Sequence, residues 1–100
     1  MNYTTLGPTG VKIAPLTLGT MNFGQWQEEE ASFEVMDRAL EHGLNLWDTA
    51  NVYGFDKGRG RTEEIIGSWM KERGTRDKIV LATKLYGPMG DGPNDRGNSA

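Results

Sequence analysis

A chain of 100 residues, 36% apolar and 25% charged, has the makeup of one soluble globular domain with a small core. Its net charge of −3 offers no electrostatic attraction to nucleic acid or an anionic membrane, and without cysteine it has neither disulfides nor thiolate chemistry. One histidine argues against a zinc site, so no metal is expected. No apolar run approaches the ~18 residues of a membrane helix, and Met1 to Gly10 lacks the regions of a signal peptide, so a cytoplasmic location is expected.

The elements follow in chain order. Tyr3 to Leu6 and Val11 to Ile13 are short β-like runs flanking the turn-rich Gly7-Pro8-Thr9-Gly10, which predicts a hairpin ended by Pro15. Leu16 to Gly19 reads as a short strand with small residues at its exit. Glu28-Glu29-Glu30 opens a helix, since acidic residues suit the positive end of the helix dipole. Phe33, Met36 and Leu40 keep helical spacing, Val35 and Ala39 widen the stripe, and Gly43 is the expected C-terminal cap.

Asn45 to Ala50 is the next predicted strand. A second helix is expected from Thr62 as N-cap, with Ile65, Ile66, Trp69 and Met70 as its apolar face and Gly74 as its stop. Ile79 to Lys84 is a near-continuous apolar run ending in a charge, the pattern of a buried parallel strand. Residues 87 to 99, rich in Gly, Pro, Asp and Asn, read as loop. Hairpin followed by β-α-β-α-β argues for an α/β fold with a parallel sheet, either an open doubly wound sheet or a (β/α) barrel. In both, ligands sit at the carboxyl ends of the strands, where Gly19-Thr20-Met21, Asp48 and Lys84 all fall.

Asp48, Lys84 and Tyr53, which follows Asp48 by five residues at a glycine-rich loop, could together carry proton transfer. Tyr53 is a candidate general acid, but a free phenol has a pKa of about 10, too high for easy donation at neutral pH. A nearby cation stabilises phenolate and lowers that value; Lys84 could supply it, with Asp48 holding the lysine in place. The set suits protonation of an oxyanion forming on a carbonyl. The plain alternative is an Asx-turn aspartate, a packing tyrosine and a snorkelling lysine.

Gly54 to Arg61 is rich in glycine and cations but lacks the third glycine of the dinucleotide fingerprint and the Gly-x-x-x-x-Gly-Lys pattern. A loop at the mouth of a site is expected there rather than a phosphate cradle. His42 precedes Gly43 at a helix end and reads as a cap, away from the strand tips. Trp47 and Trp69 read as packing residues, whereas Trp26 lies in a loop on the active side and is a candidate substrate contact.

The sequence resembles the aldo-keto reductases along essentially all of its length. The resemblance is carried by Leu6-Gly7-x-Thr9-Gly10-Val11-x-Ile13, Leu18-Gly19-Thr20-Met21, Gly43-Leu44-Asn45-x-x-Asp48-Thr49-Ala50-x-x-Tyr53-Gly54, Thr62-Glu63-x-Ile65-Ile66-Gly67 and Lys78 to Lys84. It implies a (β/α)8 TIM barrel closed at its bottom by the hairpin. Residues 1–100 would then be the N-terminal part of a single barrel domain, three βα units ending at the start of the third helix.

The resemblance also implies NADP(H) bound without a Rossmann domain and reduction of a small-molecule aldehyde or ketone. Tyr53 would be the proton donor, with Asp48 and Lys84 as its catalytic partners; Gly19, Thr20, Met21 and Asp48 would line the nicotinamide, and Tyr53 and Trp26 would meet the substrate. The family's catalytic histidine would fall beyond Ala100. His42 does not match it.

The sequence leaves two other outcomes open. One is a regulatory cofactor-binding protein on the same scaffold, similar to potassium channel β subunits, against which the short N-terminus weighs. The other is that residues 1–100 alone are inactive, with an exposed sheet edge prone to association.

Overall fold

A computed structural model describes residues 2–24, 27–54, 58–84, 89 and 92. The chain begins with the expected hairpin, β1 (Thr4–Thr5) antiparallel to β2 (Lys12–Ile13), with Thr4 opposite Ile13 and Thr5 opposite Lys12. A 3-10 turn over Gly7–Thr9 joins them, and Gly10 takes the left-handed conformation at φ 78° that the return requires. The Thr9 hydroxyl donates to the Leu6 carbonyl at 2.5 Å and accepts from the Val11 N–H at 3.2 Å, so the turn satisfies its own backbone.

The rest is α/β. β3 (Thr17–Gly19), β4 (Leu46–Asp48) and β5 (Val80–Ala82) form a parallel sheet in that order, and α1 (Glu29–Glu41) and α2 (Arg61–Arg73) connect them and pack on each other. The register aligns Thr17 with Leu46 and Val80, Leu18 with Trp47 and Leu81, and Gly19 with Asp48 and Ala82. Strand alternation therefore gives the sheet two distinct faces.

The face bearing Leu18, Trp47 and Leu81 meets the helices. Trp47 is wholly buried there with Phe23, Met36, Ile65, Ile66, Trp69 and Ile79. The Trp47 and Trp69 rings lie 5.0 Å apart at 41°. Each indole also finds an acceptor: Trp47 Nε1 donates to the Leu44 carbonyl at 2.6 Å and Trp69 Nε1 to Asp37 Oδ1 at 2.7 Å. The opposite face carries Asp48.

Two sequence expectations need adjustment. The strands are shorter than Asn45 to Ala50 and Ile79 to Lys84, but ladder-like bonds run on past them: Val80 N–H to Asn45 O, Thr49 N–H to Ala82 O and Asn51 N–H to Lys84 O, all at 2.7 to 2.9 Å. Helix α2 is capped by Gly60, in the left-handed conformation at φ 91°, and Thr62 is not its N-cap. Thr62 is fully buried inside the first turn, where its hydroxyl serves a carbonyl of another segment instead of its own helix. The hairpin is stitched to the sheet by Asn45, whose side chain donates to the Lys12 carbonyl at 2.9 Å and accepts from the Ala14 N–H at 2.8 Å.

Among the described residues no helix is long and apolar enough to cross a membrane.

Candidate active site

The site begins with the parity of the sheet. Asp48 ends β4 on the face turned away from the helices, and its neighbours in register are both small, Gly19 and Ala82. A Cβ added at Gly19 would meet no atom of the described residues within 4 Å. Among the described residues, space therefore lies open beside the Asp48 carboxylate at the carboxyl ends of the strands.

Lys84 stands two residues beyond Ala82, on the same face by alternation, and the bond from Asn51 N–H to its carbonyl at 2.9 Å keeps it in line. Its Nζ donates to Asp48 Oδ1 at 2.8 Å and to the Thr49 carbonyl at 2.9 Å. The ammonium also lies 5.1 Å from the centre of the Tyr53 ring. The three residues singled out from the sequence thus gather at one place, with the Lys84 and Asp48 side chains each about half exposed. Hydrogen bonding to Asp48 raises the Lys84 ammonium above its ordinary pKa of 10.5; partial burial opposes this, and Tyr53 adds a smaller raising effect. Lys84 is therefore a permanent cation at neutral pH.

Tyr53 rides on the turn after β4. Its N–H donates to the Ala50 carbonyl, and its carbonyl accepts the N–H of Thr62, both at 3.2 Å. The next residue must be glycine: Gly54 has φ 114°, and a Cβ there would lie 2.2 Å from the Gly58 carbonyl oxygen and 2.8 Å from Arg61 Cβ. The segment from Gly58 to Arg61 thus packs directly against the residue that follows the tyrosine.

Thr20 and Met21 follow β3. Thr20 is fully buried; its N–H and hydroxyl both donate to the Asp48 carbonyl, at 3.1 and 2.8 Å. Met21 is exposed. Trp26 lies outside the described residues, as does most of the loop expected over 87 to 99. His42 caps α1 at its C-terminus and lines an outer groove with Gln27, Glu34, Val35 and Arg38, apart from Asp48 and Lys84.

Three participants carried no sequence signal for their role. The Thr49 carbonyl that receives Lys84 is backbone, and every residue type offers one. Thr20 and Thr62 act through bonds to distant carbonyls, and that pairing exists only once β3, the Tyr53 turn and α2 have come together.

A family model described as the aldo/keto reductase family matches residues 15–100. The chain is 52% identical over 99 residues to the uncharacterized oxidoreductase YrpG of Bacillus subtilis, covering 95% of this chain and 30% of that protein. It is 44% identical over 92 residues to norsolorinic acid reductase B of Dothistroma septosporum, covering 84% of this chain and 22% of that one. Among solved structures it is similar to aldo-keto reductase AKR11C1 from Bacillus halodurans in its holo form, with a TM-score of 0.76 and 32% identity over 95% of this chain and 29% of that chain. The chain thus spans less than a third of the length of these relatives.

Proposed function

Taking as premise that the chain belongs to the aldo/keto reductase family, we propose that its full-length protein is an NADP(H)-dependent reductase of a small aldehyde or ketone. Tyr53 serves as proton donor in this reading, and the strands described here are the first part of a (β/α)8 barrel. One observation carries the reading: Lys84 Nζ lies 2.8 Å from Asp48 Oδ1 and 5.1 Å from the Tyr53 ring centre. The solved aldo-keto reductase of similar structure supports the choice of a barrel over an open sheet.

The open space beside Asp48, floored by Gly19 and Ala82, fits the flat end of a nicotinamide. Gly19, Met21 and Asp48 are the residues proposed to line that end, with the buried Thr20 acting there through its two bonds to the Asp48 carbonyl; when bound, the cofactor supplies hydride. The chain's own groups manage the proton. Tyr53 presents its hydroxyl to the carbonyl oxygen and gives up the proton as negative charge develops there. Lys84 stabilises the phenolate left behind, and Asp48 holds the ammonium in place for that role through its 2.8 Å bond. Asp48 also balances that cation when the tyrosine is neutral. Trp26 is proposed to contact the substrate.

The test is NADPH oxidation by the full-length protein with a panel of aldehydes and ketones. Tyr53→Phe removes the donor and leaves the ring over Lys84. Turnover is expected to fall by roughly 10²–10⁴-fold with cofactor binding retained. Unchanged turnover would remove Tyr53 from the mechanism.

A further inference from the structure

Thr62 is an unusual helix residue because neither of its donors serves its own helix. Its N–H is one of the first-turn donors that α2 leaves unpaired, and it goes to the Tyr53 carbonyl at 3.2 Å. Its hydroxyl donates to the Phe23 carbonyl at 2.5 Å. Both Thr62 and Phe23 are buried, so water cannot substitute for either bond.

The bonds continue from Phe23. Its N–H donates to the Thr20 carbonyl at 3.0 Å, and Thr20 in turn donates twice to the Asp48 carbonyl. An unbroken path thus runs from Tyr53 through Thr62, Phe23 and Thr20 to Asp48. The covalent chain from Asp48 to Tyr53 closes the same loop from the other side. The phenol and the carboxylate–ammonium pair are thereby braced against each other by two routes, one covalent and one through buried hydrogen bonds.

We propose that Thr62 is a positioning residue for Tyr53: its hydroxyl locks the α2 N-terminus to the β3 exit loop and so fixes the distance from the tyrosine to the Asp48–Lys84 pair. This rests on the reading of Tyr53 as proton donor. The chemistry makes the brace consequential, because a reacting group displaced by about 1 Å can lose on the order of 10²-fold in rate. The hydroxyl is the part of this path beyond Thr20 that a substitution can delete, since the remaining bonds there are backbone.

The test compares Thr62→Val, which keeps shape and removes the donor, with Thr62→Ser, which keeps the donor. Both are made in the full-length protein and assayed for NADPH-dependent carbonyl reduction well below each variant's Tm. Thr62→Val is expected to lower kcat by roughly 10–100-fold. KM for the carbonyl substrate and Kd for NADPH should stay within about twofold, and Thr62→Ser should recover most of kcat. Thr62→Ala against Thr62→Ser gives the same comparison should Thr62→Val not fold.

A wild-type kcat in Thr62→Val, or equal damage in Thr62→Ser, overturns the proposal. So does a lowered Tm without a change in kcat, which is the mark of a merely structural bond. Tyr53→Phe assayed alongside separates the two readings. If Tyr53→Phe is inactive and Thr62→Val is normal, only the positioning role fails; if Tyr53→Phe is fully active, the donor reading itself fails.

Discussion

Gly54 shows how much one close backbone approach decides at this site. At φ 114°, with the Gly58 carbonyl oxygen 2.2 Å from where a Cβ would stand, no side chain fits without moving the segment from Gly58 to Arg61. Gly54→Ala is expected to destabilise the protein by at least ~2 kcal/mol, combining left-handed strain with a backbone clash. It should also lower turnover more than stability alone explains. Denaturant midpoints and kcat of the full-length variant check both. Tyr53-Gly54 was visible in the sequence, but the loop holds further glycines at 58 and 60. Gly58 shares the left-handed strain at φ 126°, but a Cβ there would meet no atom of the described residues within 4 Å. The sequence does not distinguish them, because the obstacle at Gly54 comes from a carbonyl four residues away.

At the scale of elements, Asp37 gathers the polar contacts at one end of the seam between α1 and α2, while Glu29 and Arg61 pair at 3.8 Å at the other. Asp37 Oδ1 accepts from Trp69 Nε1 at 2.7 Å and Arg73 Nε at 3.1 Å, and Oδ2 accepts from Arg73 at 3.2 Å. Arg73 also lies 5.5 Å from the Phe33 ring centre. The hydrogen bond from Arg73, then that from Trp69, hold the Asp37 carboxyl below its ordinary 3.8. A depressed acid stabilises the fold above its unfolded pKa and loses that contribution as pH falls through its folded value. Asp37→Asn should therefore be less stable than the native protein near neutrality, by a modest amount because the pair is partly exposed. The difference should shrink as pH drops below about 4, which urea midpoints measured across pH would show. A deficit that persisted undiminished into acid would assign the effect to packing around Trp69. The apolar stripes of both helices were legible in the sequence by their 3.6-residue spacing; Asp37 was not, because a polar residue beside the stripe looks like any solvated charge until the second helix arrives.

At the scale of the whole molecule, strand order alone leaves two architectures open. Three parallel strands in sequential order, with helices packed on each other, occur in one half of a doubly wound sheet as well as in a barrel. Similarity to solved aldo-keto reductases decides for the family. In residues 1–100 the described sheet pairs β4 on both sides and β3 and β5 on one side each, and Leu16 and Met21 stand 62% and 42% exposed. Residues 1–100 expressed alone are expected to show no tight saturable NADPH binding, followed through quenching of their three tryptophans. They should also associate through the open edges. Saturable submicromolar binding by this segment would show that the first three strands hold the cofactor unaided.

The sequence by itself determined the order of elements, the two apolar stripes and the residue types at the strand tips, because spacing, capping and turn chemistry are local. It also supplied Asp48, Tyr53 and Lys84 as candidates. Only the tertiary structure decided that they meet, since the Lys84–Asp48 bond spans 36 residues and follows from the β4–β5 register. It also moved Thr62 from helix cap to buried strut and gave Thr20 and Asn45 their distant partners. The physical reason is the same throughout: a hydrogen bond between residues far apart in sequence depends on where packing puts the acceptor, and the sequence around the donor carries no trace of it.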